Sequence, residues 1–254
     1  MPVPHVEFTS AGAPAGLLVG ELSLLQYPAT ELEAGPCQLW LRLREDGRIL
    51  PHPLTGPASG SRCSGDAVTG QFGEVGYTAW FDTVADGYAW HWEVTNLGDR
   101  AAGLDVVFTQ DVALTAPDEV RRNEYYVSQY LDLTPIQTRY GTALGVRQNM
   151  PGSGNPWLGI ASLTGTAGWV TDAQQVRAAT GGLDLDQDLA GRRWQHEHTL
   201  AGLQAPAVVL GPGETARGGF VGVFVERHLD PTGADDSRLI EAFIARGGWR
   251  EQPP

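Results

Sequence analysis

Lysine is missing from this chain: all 17 of its basic residues are arginine. That absence excludes a Walker-type phosphate loop, a pyridoxal Schiff base and a lysine nucleophile, each of which needs the amine. Genomic base composition accounts for the bias without a functional cause. Positive charge is scarce in general, because 30 acidic residues leave a net charge of −13. Such a surface disfavours a nucleic-acid backbone or an anionic membrane as partner. Cysteine is limited to Cys37 and Cys63, with no CxxC spacing, so no disulfide framework is expected and reduced thiols in a cytoplasmic protein are the default. The first residues, MPVPHVEFTSAGAPAG, lack the basic stretch and apolar core of a secretory signal. No apolar run approaches the roughly 20 residues needed to cross a bilayer.

What is present points to β structure. Apolar residues make up 42% of the chain and charged ones 19%, and the 33 glycines and 17 prolines supply many turns. In YAWHWEV, Tyr88, Trp90, Trp92 and Val94 share one face while Ala89, His91 and Glu93 share the other, the period of a strand. LDVVFTQDVAL follows after NLGDRAAG, with Leu104, Val106 and Phe108 on one side. Turn residues between the two segments predict an antiparallel hairpin. GLLVGELSLLQY, CQLWLRL, EVGYTAWF, ALGVRQ, WLGIASL, AGWVT, PAVVLG and GGFVGVFVER read as further strands. Bulky residues on both faces of some strands imply that both faces are covered. Near the end, DDSRLIEAFIARGG predicts a helix capped by Asp235 or Asp236, with Leu239, Ile240, Phe243 and Ile244 on its apolar face and Gly247–Gly248 ending it. The whole is read as one all-β domain of packed antiparallel sheets with a short C-terminal helix.

Chemistry-bearing clusters are few. His196 and His198, two apart in RRWQHEH, would point the same way on a strand and suit metal chelation, but hydrogen-bonded imidazoles are the preferred reading. Asp184, Asp186 and Asp188 lack the glycine and terminal glutamate of a calcium loop, so a solvated loop is expected. Asp111, Glu124 and Asp132 are carboxylates of the kind a glycosidase pairs across a bond, though on strands they more often serve as hydrogen-bond partners. There is no G-x-S-x-G elbow and no catalytic signature around either cysteine. No metal and no cofactor are expected.

The most unusual stretch is RRNEYYVSQYLDLTP. Tyr125, Tyr126 and Tyr130 offer flat rings with polar tips, and Asn123, Glu124, Gln129 and Asp132 offer hydrogen bonds; Arg147, Gln148, Asn149 and Trp157 follow downstream in VRQNMPGSGNPW. Aromatic plates beside planar amides suit a polyhydroxylated ligand, and equally a seam between domains. Both readings stand at this point.

The order of blocks TQDVAL, NEYYVSQYLD, RQNMPGSGNPWLGIAS, GWVTD and RRWQHEHTLAGLQAPAVVLGPGETARGGFVGVFVERH resembles the N-terminal β-sandwich of glycoside hydrolase family 94 phosphorylases, in the 1,2-β-oligoglucan and cellobiose phosphorylase-like branch, over roughly residues 77–228. The resemblance implies a galactose mutarotase-like supersandwich, spanning residues 1–230, with residues 231–254 starting the linker to a catalytic (α/α)6 barrel of the same polypeptide. It implies a non-catalytic scaffold, a β-linked gluco-oligosaccharide as the parent's substrate and a homodimer as a further assembly. The family's catalytic aspartate lies in the barrel, so no catalytic residue carries over. The tyrosine-rich block then becomes a polar seam or the margin of a sugar cleft. Two other readings compete. One is a free-standing carbohydrate-binding module; the other is a mutarotase-like epimerase, for which His196 and Glu124 are the available acid–base pair.

Overall fold

The computed structural model describes residues 2–179, 182–195 and 198–250. The chain opens with β1 (His5–Phe8), β2 (Pro14–Val19) and β3 (Leu22–Ser23), which form a small sheet of their own. Next come β4 (Gln38–Glu45), β5 (Arg48–Pro53), β6 (Arg62–Ser64), β7 (Ala67–Phe72), β8 (Val75–Val84), β9 (Gly87–Asn96) and β10 (Ala102–Gln110). Two short helices follow, α1 (Pro117–Arg122) and α2 (Glu124–Gln129). The rest consists of β11 (Leu131–Thr138), β12 (Gly141–Gln148), β13 (Trp157–Ser162), β14 (Gly168–Asp172), β15 (Thr199–Gln204), β16 (Val208–Leu210), β17 (Thr215–Val225) and α3 (Ser237–Arg246).

Two larger antiparallel sheets make the sandwich. One runs β14-β15-β10-β4-β5 with β16 also paired to β10, and the other runs β11-β12-β13-β17-β9-β8-β7-β6. The alternation read in β9 places Tyr88, Trp90, Trp92 and Val94 in the central core, where they meet Leu39, Leu41 and Leu43 of β4 and Leu104, Val106 and Phe108 of β10. The rings of Phe108 and Phe220 stack across the layers at 5.5 Å. Each large side chain buried in this way contributes roughly 1.5–3 kcal/mol.

The expected β9–β10 hairpin does not form. β9 pairs with β8 and β17, whereas β10 pairs with β4, β15 and β16, so the two strands lie in different sheets. The reason is the bulk of their apolar stripes. Side by side in one sheet, both stripes would point the same way and need a third layer; face to face, they bury each other. The turn residues instead steer the chain across the sandwich. Asn96 fixes that crossing, donating from Nδ2 to the carbonyls of Arg100 at 2.6 Å and Leu210 at 2.9 Å and accepting from Gly98 N–H at 3.0 Å.

Both outer faces are also covered. On the eight-stranded sheet, α3 presses Ile240 and Phe243 against Ala89, Ala143, Trp157, Val221 and Val223. The helix begins at Ser237, after a single 3-10 turn, and ends at Gly247, whose φ of 62° lies in the left-handed region. Asp236 does not cap it through its side chain; its carboxylate accepts instead from His228 Nε2 and Gly233 N–H, both at 2.8 Å. Leu239 also departs from the expected apolar face and is 40% exposed. Close approach depends on Gly159, where an added Cβ would stand 2.4 Å from the Trp157 ring and 2.9 Å from Ile240. On the six-stranded sheet, the segment after β14 folds back over Trp40, Val107 and Leu200, burying Val176, Leu185 and Leu189.

Candidate functional site

The second covered face carries a cluster of four charged side chains, Arg42, Arg44, Asp105 and Asp188. Alternation on β4 turns Arg42 and Arg44 away from the core, and Asp105 on β10 faces them across the strand pair. Arg42, fully buried, grips Asp105 in two places, Nε to Oδ1 at 2.6 Å and Nη2 to Oδ2 at 2.9 Å. Its Nη1 donates to the carbonyls of Gln187 at 2.7 Å and Leu185 at 3.1 Å. Arg44 Nε reaches Asp105 Oδ2 at 2.8 Å and also pairs with Asp188. Gln204 donates to Asp188 at 2.8 Å and accepts from Leu189 N–H at 2.9 Å. Hydrogen bonding to Arg44 holds the Asp188 carboxyl below its ordinary pKa. Asp184 and Asp186 stay exposed as expected, but Asp188 belongs to this network. With its donors and acceptors committed to one another, the cluster is a clamp that fixes the covering segment.

Beside the clamp, a cleft of about 680 Å³ remains, lined by Tyr27, Pro36, Gln38, Trp40, Pro57, Tyr125, Arg177 and His198 among others. Its floor is held from the core. Asp111, just after β10, is buried and accepts from Tyr27 N–H at 2.5 Å. Burial pushes the Asp111 carboxyl up to about 7, against the opposing pull of the backbone N–H groups of Tyr27, Asp111 and Gln26. Tyr27 is pushed up to about 12, first by burial and then by the neighbouring Glu124 carboxylate, which hydrogen-bonds its hydroxyl. Trp40 donates from Nε1 to Thr109 Oγ1 at 3.3 Å, and Thr109 in turn donates to Pro36 O at 2.6 Å. Tyr125 meets His198 edge to face, with ring centres 5.5 Å apart. Gln38 is only 6% exposed; its Nε2 donates to Gly35 O at 2.5 Å, while its Oε1 has no partner.

The residues singled out from the sequence do not converge on one place. Tyr125 lines the cleft and Glu124 flanks it through Tyr27. Asn123 caps α2, accepting from Tyr126 N–H at 3.1 Å. Tyr126 packs on Tyr130 with ring centres 4.9 Å apart, and neither ring lines the cleft. Gln129 is exposed at the end of α2. Asp132 pairs with Arg193 at 2.5 Å. Arg147 binds the carbonyls of His228 at 2.8 Å and Leu229 at 2.9 Å and also contacts Asn149. Gln148 is fully buried and donates to Ala113 O at 3.1 Å. Trp157 is fully buried and stacks on His228 under α3, a packing position with no face for a ligand. His196 and Glu197 lie outside the described residues, and His196 is one member of both the proposed His196–His198 chelate and the His196–Glu124 epimerase pair. Tyr27, Gln38 and Trp40 escaped the sequence reading; they sit far from Tyr125 in the chain, and only strand alternation in CQLWLRL hinted that Gln38 and Trp40 face away from the core.

Fold and site together define an all-β sandwich domain with a clamped cover on one face and a cleft at its edge. Residues 7–222 match the family model described as the SOGP N-terminal domain, and the chain belongs to that family. It is 28% identical over 255 residues to a 1,2-β-oligoglucan phosphorylase of Listeria innocua serovar 6a, in an alignment that covers 97% of this chain and 22% of the relative. The chain therefore spans about a fifth of that protein's length, 22%. Among solved structures, a polysaccharide lyase shares the fold with a TM-score of 0.60 at 13% identity, over 96% of this chain and 34% of the lyase.

Proposed function

We propose that this chain is a non-catalytic N-terminal sandwich domain of a β-glycoside phosphorylase that acts on β-glucan oligosaccharides. The observation that carries the reading is the domain-family match combined with near-complete alignment to a short part of a phosphorylase. The charged groups also support it. Arg42, Arg44, Asp105 and Asp188 neutralise one another in a structural clamp, so neither of these two carboxylates is free to serve as a glycosidic acid or base. The remaining machinery would be a helical barrel in the same polypeptide, reached through residues 231–254, with the sandwich as its scaffold and as a surface for homodimerisation. A cytoplasmic setting accords with the free thiols of Cys37 and Cys63.

The test is phosphorolysis. The longer polypeptide, read from the encoding locus past codon 254, is expected to release glucose 1-phosphate from β-glucan oligomers and inorganic phosphate, and the 254-residue chain alone is expected to release none. Turnover by the isolated chain, or a stop codon directly after Pro254, would overturn the proposal.

A further inference from the structure

We infer that the cleft between Tyr27 and Tyr125 binds a short neutral oligosaccharide, and that a β-linked glucose oligomer is its ligand. The assignment of a glucose oligomer rests on the phosphorylase reading; the assignment of a neutral polyol rests on the cleft itself. Tyr27 and Tyr125 each leave nearly half of their surface open, 46% and 45%, and Trp40 is locked in place by its indole N–H. Aromatic faces of this kind stack on the C–H face of a sugar ring. The volume, about 680 Å³, falls in the range of small-molecule sites, roughly 300–1,000 Å³.

Polar groups then choose between ligand classes. The buried Oε1 of Gln38 lacks a donor, and burying such an acceptor unpaired is costly. A purely apolar ligand offers it no donor; a sugar hydroxyl does, once the Gln38 amide turns toward the cleft. Arg177 and His198 line the same cleft and bring nitrogen groups to it. An anion is disfavoured by Glu124 at Tyr27 and by the overall charge of −13. A neutral molecule carrying both C–H faces and hydroxyls meets all of these conditions.

The experiment is isothermal titration of the 254-residue chain with β-1,2-linked glucotriose, with β-1,4-linked glucotriose as comparator. Saturable binding at millimolar sugar is expected, weakened about tenfold by Tyr125→Ala, weakened similarly by Gln38→Met and unchanged by Tyr126→Ala. Because a variant can lose its fold, the wild-type indole N–H resonances are followed in the same titration, and Trp40 is expected to shift more than Trp157. Absence of saturation by either sugar overturns the proposal. So does loss of binding in Tyr126→Ala with retention in Tyr125→Ala, or a cleft whose variants alter only association with the rest of the polypeptide. A phosphorolysis failure with binding intact would sink the phosphorylase reading and leave the polyol site standing.

Discussion

The two outer faces of the sandwich both bury apolar clusters, but only one of the covers is also held by buried charge. On the eight-stranded sheet, α3 lies down through apolar contacts, with Ile240 and Phe243 among alanines, valines and Trp157. On the six-stranded sheet, a largely irregular segment buries Val176, Leu185 and Leu189 but is also pinned by ions, through Arg42, Arg44, Asp105 and Asp188. An apolar cover tolerates small shifts, because burial is non-directional. A buried forked arginine does not, since its hydrogen bonds hold only in one arrangement. The difference explains how a largely irregular segment is held in place on a sheet. The cleft lies at the edge of this cover.

The most severe way to break the comparison is Asp105→Ala. It leaves the fully buried Arg42 with only the longer 3.3 Å carboxylate contact, to the exposed Asp188, and is expected to lower stability by about 3–5 kcal/mol, read by urea denaturation. Replacing both partners, Arg42→Met with Asp105→Leu, is expected to recover most of that loss, because removing a buried pair together leaves no uncompensated charge. A double variant as unstable as the single one would show that Arg42 matters chiefly through the carbonyls of Leu185 and Gln187.

On the apolar side, Ile240→Ala is expected to cost about 2–4 kcal/mol by leaving a cavity between α3 and the sheet. No second substitution should rescue it in the way the ionic pair is rescued. Equal rescue on both faces would erase the distinction between them.

The sequence disclosed these covers unequally. Period-two alternation in YAWHWEV and CQLWLRL, and the spacing of Ile240 and Phe243, are local signals, and they mark strands and helix correctly. Partner choice is not local. Nothing within NLGDRAAG distinguishes a hairpin from a crossing, because the same turn residues serve both, and only the bulk of two facing stripes decides. Helix α2 was hidden for another reason: six residues are too few to show a 3.6-residue period, and its tyrosines favour strands. Asp184, Asp186 and Asp188 look alike in sequence, yet only Asp188 reaches the arginines. The cleft combines residues 27–40, 125, 177 and 198, which no short window contains.

Asp111 offers a subtler test, since it links the core to the cleft. Its folded-state carboxyl titrates at about 7, above the ordinary value. A raised acid favours the protonated form in the fold, so the associated stability is complete below about pH 4 and is lost as pH rises through about 7. Asp111→Asn is expected to flatten that slope and to leave the chain more stable than wild type at pH 8, by on the order of 2 kcal/mol. Parallel pH–stability curves for the two proteins would mean that the three backbone N–H donors, not burial, control the carboxyl.

The smallest effect concerns how Tyr125 is presented. Helix α2 is too short to persist on its own, and two things hold it: the Asn123 side chain accepting from Tyr126 N–H at 3.1 Å, and the burial of Val127 and Ser128, whose hydroxyl donates to Gln26 Oε1 at 2.9 Å. Asn123→Ala is expected to cost about 1 kcal/mol and to speed amide hydrogen exchange at Tyr126, with Asn123→Asp restoring protection because its carboxylate accepts the same bond. Unchanged exchange at Tyr126 would assign the helix wholly to its buried side. The geometry of Tyr125 in the cleft would then depend on the Ser128–Gln26 contact, and the same exchange measurement on Ser128→Ala would reveal it.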